Sequence, residues 1–378
     1  MNFETLLTDS QRILLRTLWT PEGLTRREIE EELGRSRPTV DKALGLLRGL
    51  GLIESCGMRT PQQGRPAEVF SVCESAWFAL GLNLELPNAD LVVVDAWGEI
   101  LHETRLELRE GLGTPRGTLA QVAELIRDWL AGLEIPTDHV AGLGVGIPGF
   151  FVNRRVTFVS RHLPNWKQVP VESSLESKLS LPVLVNRDVD FMALAEIEQR
   201  GWTDQVVLYL SVRPDLDGDV RIGASLCVRG RVYRGSHGNA GALYRAIVDA
   251  EELADLSTTN RVERIAERLT SSLVHVIPLV DPDWVVVHAE SLGSLETPLV
   301  QRCTEDLEVA LQGGEYVGMT QVTSAVVRGA TGAQQAAIAV IRELLRPEGT
   351  SGVGGGIRQD RGRRKRIKLT TTIGGGVQ

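Results

Sequence analysis

Val140-Ala141-Gly142-Leu143-Gly144-Val145-Gly146-Ile147-Pro148-Gly149 is a short apolar run, interleaved with glycine and closed by a Pro-Gly turn, and it reads as a strand. Upstream the spacing predicts an amphipathic helix from Thr118 to Leu133. Three successive strands precede it, Phe78 to Leu86, Ala89 to Val94 and Ile100 to Leu106, with a turn at Trp97-Gly98. Downstream the layout repeats: a strand from Gln205 to Val212, strands near Ile222 to Val228 and Arg231 to Tyr233, a long helix about Arg261 to Leu279, and a strand from Trp284 to His288. A last helix runs from Gln334 to Leu345 and Pro347 follows it. Short apolar strands alternating with amphipathic helices are the pattern of an α/β domain.

Ahead of Val72 the pattern is different. From Thr8, the residues Ile13, Leu14, Leu15 and Leu18 recur at helical spacing until Pro21-Glu22-Gly23 breaks the run. Thr25 followed by Glu28 is a capping box that starts a second helix, about Arg26 to Leu33. Gly34 permits a tight turn, and Ser36 is a good N-cap for a third helix through Leu50 with Val40, Ala43, Leu44, Leu47 and Leu50 on its apolar face. The spacing is that of a helix-turn-helix, whose last helix enters the major groove by its first turn. That points to Arg35, Ser36, Arg37, Thr39, Val40, Asp41 and Lys42 as DNA contacts. Arg can pair bidentately with guanine, Thr and Val can meet thymine methyls, and Lys42 can hold phosphate. Residues 51–54 and 67–72 read as two strands of a wing, whose connecting loop carries Arg59 and Gly64-Arg65-Pro66. An extended Arg beside Gly and Pro suits a narrow minor groove. The bland alternative is a three-helix bundle with merely solvated charges, and the capped third helix, the wing and the local charge weigh against it.

The chain has 378 residues, 42% of them apolar and 24% charged, which excludes a mainly disordered chain. No run approaches the ~20 apolar residues of a membrane-spanning helix, and residues 1–5 have no basic, apolar leader pattern, so a cytoplasmic protein is expected. The four cysteines, Cys56, Cys73, Cys227 and Cys303, are far apart and read as buried thiols, neither a disulfide framework nor a metal cluster. The net charge of -8 is unevenly distributed: residues 1–72 are neutral, 73–347 carry -13 and 348–378 carry +5. Within the first segment, Arg35 to Arg65 is a local +4. The last segment, Gly-rich around Arg361-Gly362-Arg363-Arg364-Lys365-Arg366, reads as a disordered tail that either touches phosphate or is simply solvated. Three units follow: 1–72 a winged helix-turn-helix, 77–347 a two-lobed α/β domain, and 348–378 the tail.

Gly144-Val145-Gly146-Ile147-Pro148-Gly149, His162-Leu163-Pro164-Asn165-Trp166, residues 181–188, Ala193-Leu194-Ala195-Glu196 and Gly235-Ser236-His237-Gly238-Asn239-Ala240-Gly241 occur in an order and spacing that resembles the ROK family, named for repressor, open reading frame and kinase. The resemblance covers residues 8 to about 347. It implies the actin-like, sugar-kinase-like fold and a choice between sugar kinase and sugar-responsive repressor; the repressor branch adds the winged helix-turn-helix. Family kinases place an Asp and glycines on the first hairpin to approach ATP phosphate. Here that strand reads Gly81-Leu82-Asn83-Leu84-Glu85-Leu86-Pro87, and Glu85 would repel phosphate. The second phosphate turn, residues 218–225, has bulkier residues in place of family glycines, and a late Gly-Gly-Gly is His288-Ala289-Glu290. At the Asn-Asp pair that binds sugar in the family, this chain has Arg187-Asp188, where Asp188 is either a sugar ligand or an ion-pair partner. The family's sugar-binding Glu and zinc-site His are Ala242 and Arg245, so no metal and no cofactor are expected.

The resulting expectation is a DNA-binding regulator, a repressor of carbohydrate genes with no catalytic residues. It binds a double-stranded operator as a homodimer or homotetramer, and a sugar or sugar phosphate through Asn165, Arg187, Asp188, Gly238 and Asn239. Arg187 is expected to favour an acidic ligand. Two other readings stay open, an active sugar kinase and a regulator whose α/β domain only dimerises.

Overall fold

The computed structural model describes residues 7–60, 65–108, 114–133, 135–152, 155–159, 165–215, 217–243, 248–312, 320–328 and 331–347. The tail, Gly64, Tyr244, Arg245 and His162-Leu163-Pro164 therefore lie outside the described residues.

Thr8 caps α1 (Asp9–Leu18) through a capping box with Gln11. Thr25, which ends β1 (Leu24–Thr25), forms the predicted box with Glu28 at the start of α2 (Arg26–Leu33), and Gly34 closes that helix in the left-handed region at φ 59°. Ser36 precedes α3 (Arg37–Gly49) as expected, but its hydroxyl lies 3.0 Å from the Thr39 hydroxyl instead of capping a backbone N–H. α3 buries Val40, Leu44 and Leu47; Leu50, expected on that face, is the C-cap and is exposed. β2 (Ile53–Arg59) runs on past Glu54 as a mostly exposed strand and pairs with β3 (Ala67–Val72), giving a sheet of order β1-β3-β2.

Next come β4 (Phe78–Glu85), β5 (Asn88–Val94), β6 (Ile100–Glu107), α4 (Pro115–Gly132), β7 (Val140–Ile147), β8 (Gly149–Val152), β9 (Arg155–Val159), α5 (Val171–Leu179), β10 (Val183–Arg187) and α6 (Asp188–Arg200). β11 (Val206–Pro214), β12 (Val220–Val228), β13 (Arg231–Tyr233), α7 (Ala250–Leu253), α8 (Thr258–Val280), β14 (Trp284–His288), α9 (Glu296–Gln312), β15 (Gln321–Ser324) and α10 (Thr331–Leu344) complete the chain. The first lobe is a sheet of order β10-β7-β4-β5-β6 and the second a sheet of order β13-β12-β11-β14-β15, so the repeat expected from the strand pattern is an architectural one.

Strand alternation sorts the core into layers. Leu80, Leu82, Leu84, Leu91 and Val93 face α4 and α5, whereas Ala79, Val92 and Val94 face α10. In the second lobe Leu208, Leu210, Val285 and Val287 face α8 and α9, while Val207, Tyr209 and Val286 face α6. α10 and α6 thus lie between the sheets and pack on one another. The glycines of the central strands admit α10: a Cβ at Gly144 would lie 1.9 Å from the Ala336 carbonyl oxygen, and one at Gly81 1.8 Å from that of Ala333.

α10 also enters the amino-terminal module. Val340, Ile341, Leu344 and Leu345 share one apolar cluster with Leu14, Leu18, Leu47, Phe70 and Val72. Buried Arg12 donates to the carbonyls of Leu7 and Leu344, and the Trp19 indole N–H donates to the Ala96 carbonyl at 2.8 Å. Of the four cysteines expected to be buried, Cys227 and Cys303 are, with thiols pushed up to about 12 by burial. Cys56 on β2 is exposed and Cys73 half-buried.

Candidate DNA interface and inter-lobe cleft

The first turn of α3 presents Arg35, Ser36, Arg37, Thr39, Asp41 and Lys42 to solvent. Val40 points the other way and is 2% exposed, so the expectation that it meets a thymine methyl is corrected: its side chain belongs to the core. Asp41 faces back, accepting from Arg26 Nε at 3.0 Å with Arg37 3.9 Å away. Arg26 continues to Glu68 on β3 at 3.1 Å and stacks over the Phe70 ring, 4.6 Å from its centroid. Arg26 thereby links α3 to β3.

Arg59 makes a second tie, from β2 to the start of α2. Its Nη1 donates to both Glu28 carboxylate oxygens at 2.7 and 2.8 Å, and its Nη2 to the carbonyls of Glu22 and Gly23. The Thr25 N–H on its carboxylate, with the Thr25 hydroxyl and Arg59 adding to it, holds the Glu28 carboxyl below its usual range against the opposing effect of burial. Arg65 and Pro66 are exposed just ahead of β3.

The cleft between the lobes is crossed by three arginines. Arg187, at the end of β10, pairs with Asp190 rather than with neighbouring Asp188: Nε and Nη2 meet that carboxylate, and Nη1 meets the carbonyls of Ala224 and Ala240. Ser225 adds a hydroxyl to Asp190 at 2.8 Å. Both members of this pair are almost completely buried, so its charge is neutralised inside the protein, which counts against the expected preference of Arg187 for an anionic ligand. Asp188 is also ion-paired, with a partner the sequence did not indicate. Its Oδ1 accepts from the Val189 N–H at 2.8 Å, and its Oδ2 meets Arg213 Nη2 at 2.5 Å. Arg213 Nη1 reaches Glu85 at 3.3 Å. Burial works against the Arg213 charge, and Asp188 followed by Glu85 more than offsets it, so this guanidinium is held protonated above its ordinary range.

Arg234 donates to Asn186 Oδ1 at 2.7 Å, while its Nε is buried without a hydrogen-bond partner. Asn83 Oδ1 is likewise buried and unpartnered; in register, Asn83, Gly146 and Asn186 form one row across β4, β7 and β10. Gly238, in the left-handed region at φ 74°, and exposed Asn239 immediately precede the Ala240 carbonyl that Arg187 grips. Asn165 is exposed in a left-handed turn at φ 68° ahead of α5. Sequence reasoning missed Asp190, which lies one helical turn beyond Arg187, Arg213 and Arg234, whose partners are distant in the chain, and Asn83, which only the sheet register brings beside Gly146 and Asn186.

The two hairpins that approach phosphate in the kinases present carboxylates here. At the β11-β12 turn the N–H groups of Asp217 and Asp219 donate to Asp215 Oδ1 at 3.0 and 3.1 Å, and Arg221 pairs with Asp215 and Asp219. Burial alone would raise the Asp215 carboxyl, but Arg221 and those N–H groups bring it below its ordinary value.

This is a two-lobed α/β domain of the sugar-kinase class behind a winged helix-turn-helix. Residues 80–243 match the model of the ROK family. The xylose repressor of Caldicellulosiruptor bescii is 22% identical over 254 residues, covering 67% of this chain and 62% of its own. That of Bacillus subtilis is 19% identical over 242 residues, covering 64% and 60%. A glucokinase of Halalkalibacterium halodurans is 27% identical over 169 residues, 44% of this chain and 48% of the kinase. The chain thus spans 60 to 65% of the length of the xylose-repressor relatives it matches. Among solved structures, a ROK family transcriptional regulator described as a homolog of the E. coli Mlc protein superposes with TM-score 0.68 at 17% identity, covering 89% of this chain and 96% of that one. A ROK hexokinase from Thermus thermophilus superposes with TM-score 0.54 at 20% identity, covering 71% and 99%. These likenesses are of fold. No helix among the described residues is long and apolar enough to cross a membrane.

Proposed function

We propose that this chain is a sugar-responsive transcriptional regulator, a repressor of carbohydrate genes, in which residues 1–72 read DNA and residues 77–347 sense the effector without transferring phosphate. The observation that carries the non-enzymatic part is the state of the two hairpin tips. A phosphate needs backbone N–H groups free to point at it. At the β11-β12 turn two of them are directed to the protein's own Asp215, and at the facing hairpin Glu85 stands close to the same space. A nucleotide triphosphate would have to displace one carboxylate and approach another.

On the DNA side, Arg35, Arg37, Thr39 and Lys42 contact the major groove and Arg65 the wing's groove. The chain acts as a dimer or tetramer on a two-fold operator in the cytoplasm, and the basic tail is outside this reading. In the cleft, Asp188, Asn165 and the Gly238-Asn239 turn bind sugar hydroxyls, with D-xylose the first candidate because curated relatives are named xylose repressors. Purified full-length protein incubated with ATP, magnesium and a panel of sugars headed by D-xylose and glucose tests the enzymatic alternative: no sugar-dependent ADP release is expected, and turnover with any of them overturns the non-enzymatic reading.

A further inference from the structure

We propose that Arg213 is an internal competitor for the effector site, a latch that joins the two lobes over Asp188 until a ligand hydroxyl takes its place there. The inference rests on the sensor reading above and specifies its regulation.

Arg213 belongs to β11 in the second lobe, whereas its partners, Glu85 at the end of β4 and Asp188 at the start of α6, are carried by strands β4 and β10 of the first. One guanidinium therefore spans the cleft and holds the two hairpin tips together. Asp188 is 8% exposed as a side chain beneath an arginine that is 24% exposed, so the ion pair lies at the rim with the cation outward. One Asp188 oxygen is already held by the Val189 N–H, and the other is the one Arg213 grips. A sugar hydroxyl seeking that second oxygen meets the guanidinium first.

The other bridges between the lobes are built differently. Arg187-Asp190 is enclosed, with Ser225 and the carbonyls of Ala224 and Ala240 completing its hydrogen bonds, and separating it would strand charges in the interior. Arg213 is less enclosed, 24% exposed with Glu85 at 32%, so its guanidinium can turn outward and keep Glu85 while a ligand hydroxyl takes the Asp188 oxygen. Of the two described cleft arginines that grip a carboxylate directly, Arg187 and Arg213, the latter is the more accessible, 24% against 5% exposed. A ligand shifts a two-state equilibrium only by binding one state better, and a hydroxyl that occupies Asp188 only after Arg213 has left meets that condition.

The test uses the full-length chain as wild type, Arg213→Met and the milder Glu85→Gln, which leaves the Asp188 pair in place. Hydrogen exchange is followed by mass spectrometry in peptides covering 84–88 and 214–220. Without sugar, Arg213→Met is expected to speed exchange at both hairpins by roughly fivefold to tenfold and Glu85→Gln by less, the size of one rim ion pair. Unchanged exchange at both hairpins in Arg213→Met overturns the latch, and if Arg213→Met does not fold, Arg213→Gln is compared in the same way and decides it. Calorimetric titration with D-xylose separates the latch from the sensor reading. Where the wild type binds, Arg213→Met is expected to bind several-fold more tightly, and weaker binding overturns the competition. Where neither protein binds D-xylose, that choice of effector fails, while the exchange comparison still passes or fails the latch.

Discussion

Arg59 illustrates how a residue chosen for its charge acquires its role from its neighbours. In sequence it is a basic residue beside a Gly-Pro loop, suited to a minor groove. In the fold its guanidinium is occupied by Glu28 and the carbonyls of Glu22 and Gly23, bracing the wing against the start of α2. Arg59→Met is therefore expected to weaken operator binding about tenfold by releasing the wing, with the slope of log affinity against log salt unchanged. Lys42→Ala is expected to lower that slope by roughly 1, the signature of a lost phosphate contact. A drop of that size for Arg59→Met would move it to the DNA. The Thr25-Glu28 capping box, the turn at Gly34 and the exposed arginines of α3 were legible from local chemistry, whereas the Thr8-Gln11 box was not read. The double role assigned to Val40 was not tenable, since one side chain cannot serve core and groove together.

At the scale of elements, strands were easier to read than helices. β7 and the β11-β12-β13 set follow the apolar runs within a few residues, as does α8, whose apolar positions recur on one face. α6 escaped because it lies between the sheets with Asp188, Asp190 and Glu196 buried among apolar residues, which erases the polar face that marks a helix. β2 escaped past Glu54 because its later residues are exposed and a register shift at Ser55 and Gly57 breaks the alternation. The glycines of residues 142–146 were readable as strand residues, but the reason for Gly144 lies in α10, nearly two hundred residues onward. Gly144→Ala is expected to destabilise the protein by about 3 kcal/mol in denaturant titration, the upper range for overpacking a closed core, because backbone rather than a flexible side chain blocks the new methyl. A loss under about 0.5 kcal/mol would mean that α10 does not sit on β7 this closely.

For the whole molecule, sequence suggested a reader and a sensor joined by a short linker, and the fold adds a shared core between them. α10 meets Asn83 and Met192 near Gly332 at its amino end, beside the cleft, while its carboxyl end is packed among Leu14, Leu18 and Leu47 with Arg12 on the Leu344 carbonyl. α10 thus links the inter-lobe cleft to the amino-terminal module, which in the proposed regulator is the path by which the sensor reaches the DNA-reading part. Arg12→Met, which keeps the apolar stem and removes the donors, is expected to cost about 1–3 kcal/mol and to reduce the effect of sugar on operator binding more than it reduces sugar affinity. Equal losses in both would assign Arg12 to stability alone. The uneven charge bears on the proposed regulator too: an acidic -13 segment would repel DNA and leave the outward arginines of the neutral module as the surface to meet it.

The most direct test is fluorescence anisotropy of the full-length chain on a duplex selected by the protein from random DNA, titrated in the absence and presence of a sugar panel headed by D-xylose. Specific binding that at least one sugar weakens tenfold or more, with the effect abolished in Asp188→Ala, is the predicted result. Selection of no specific duplex, or operator affinity that no sugar alters, would contradict the account.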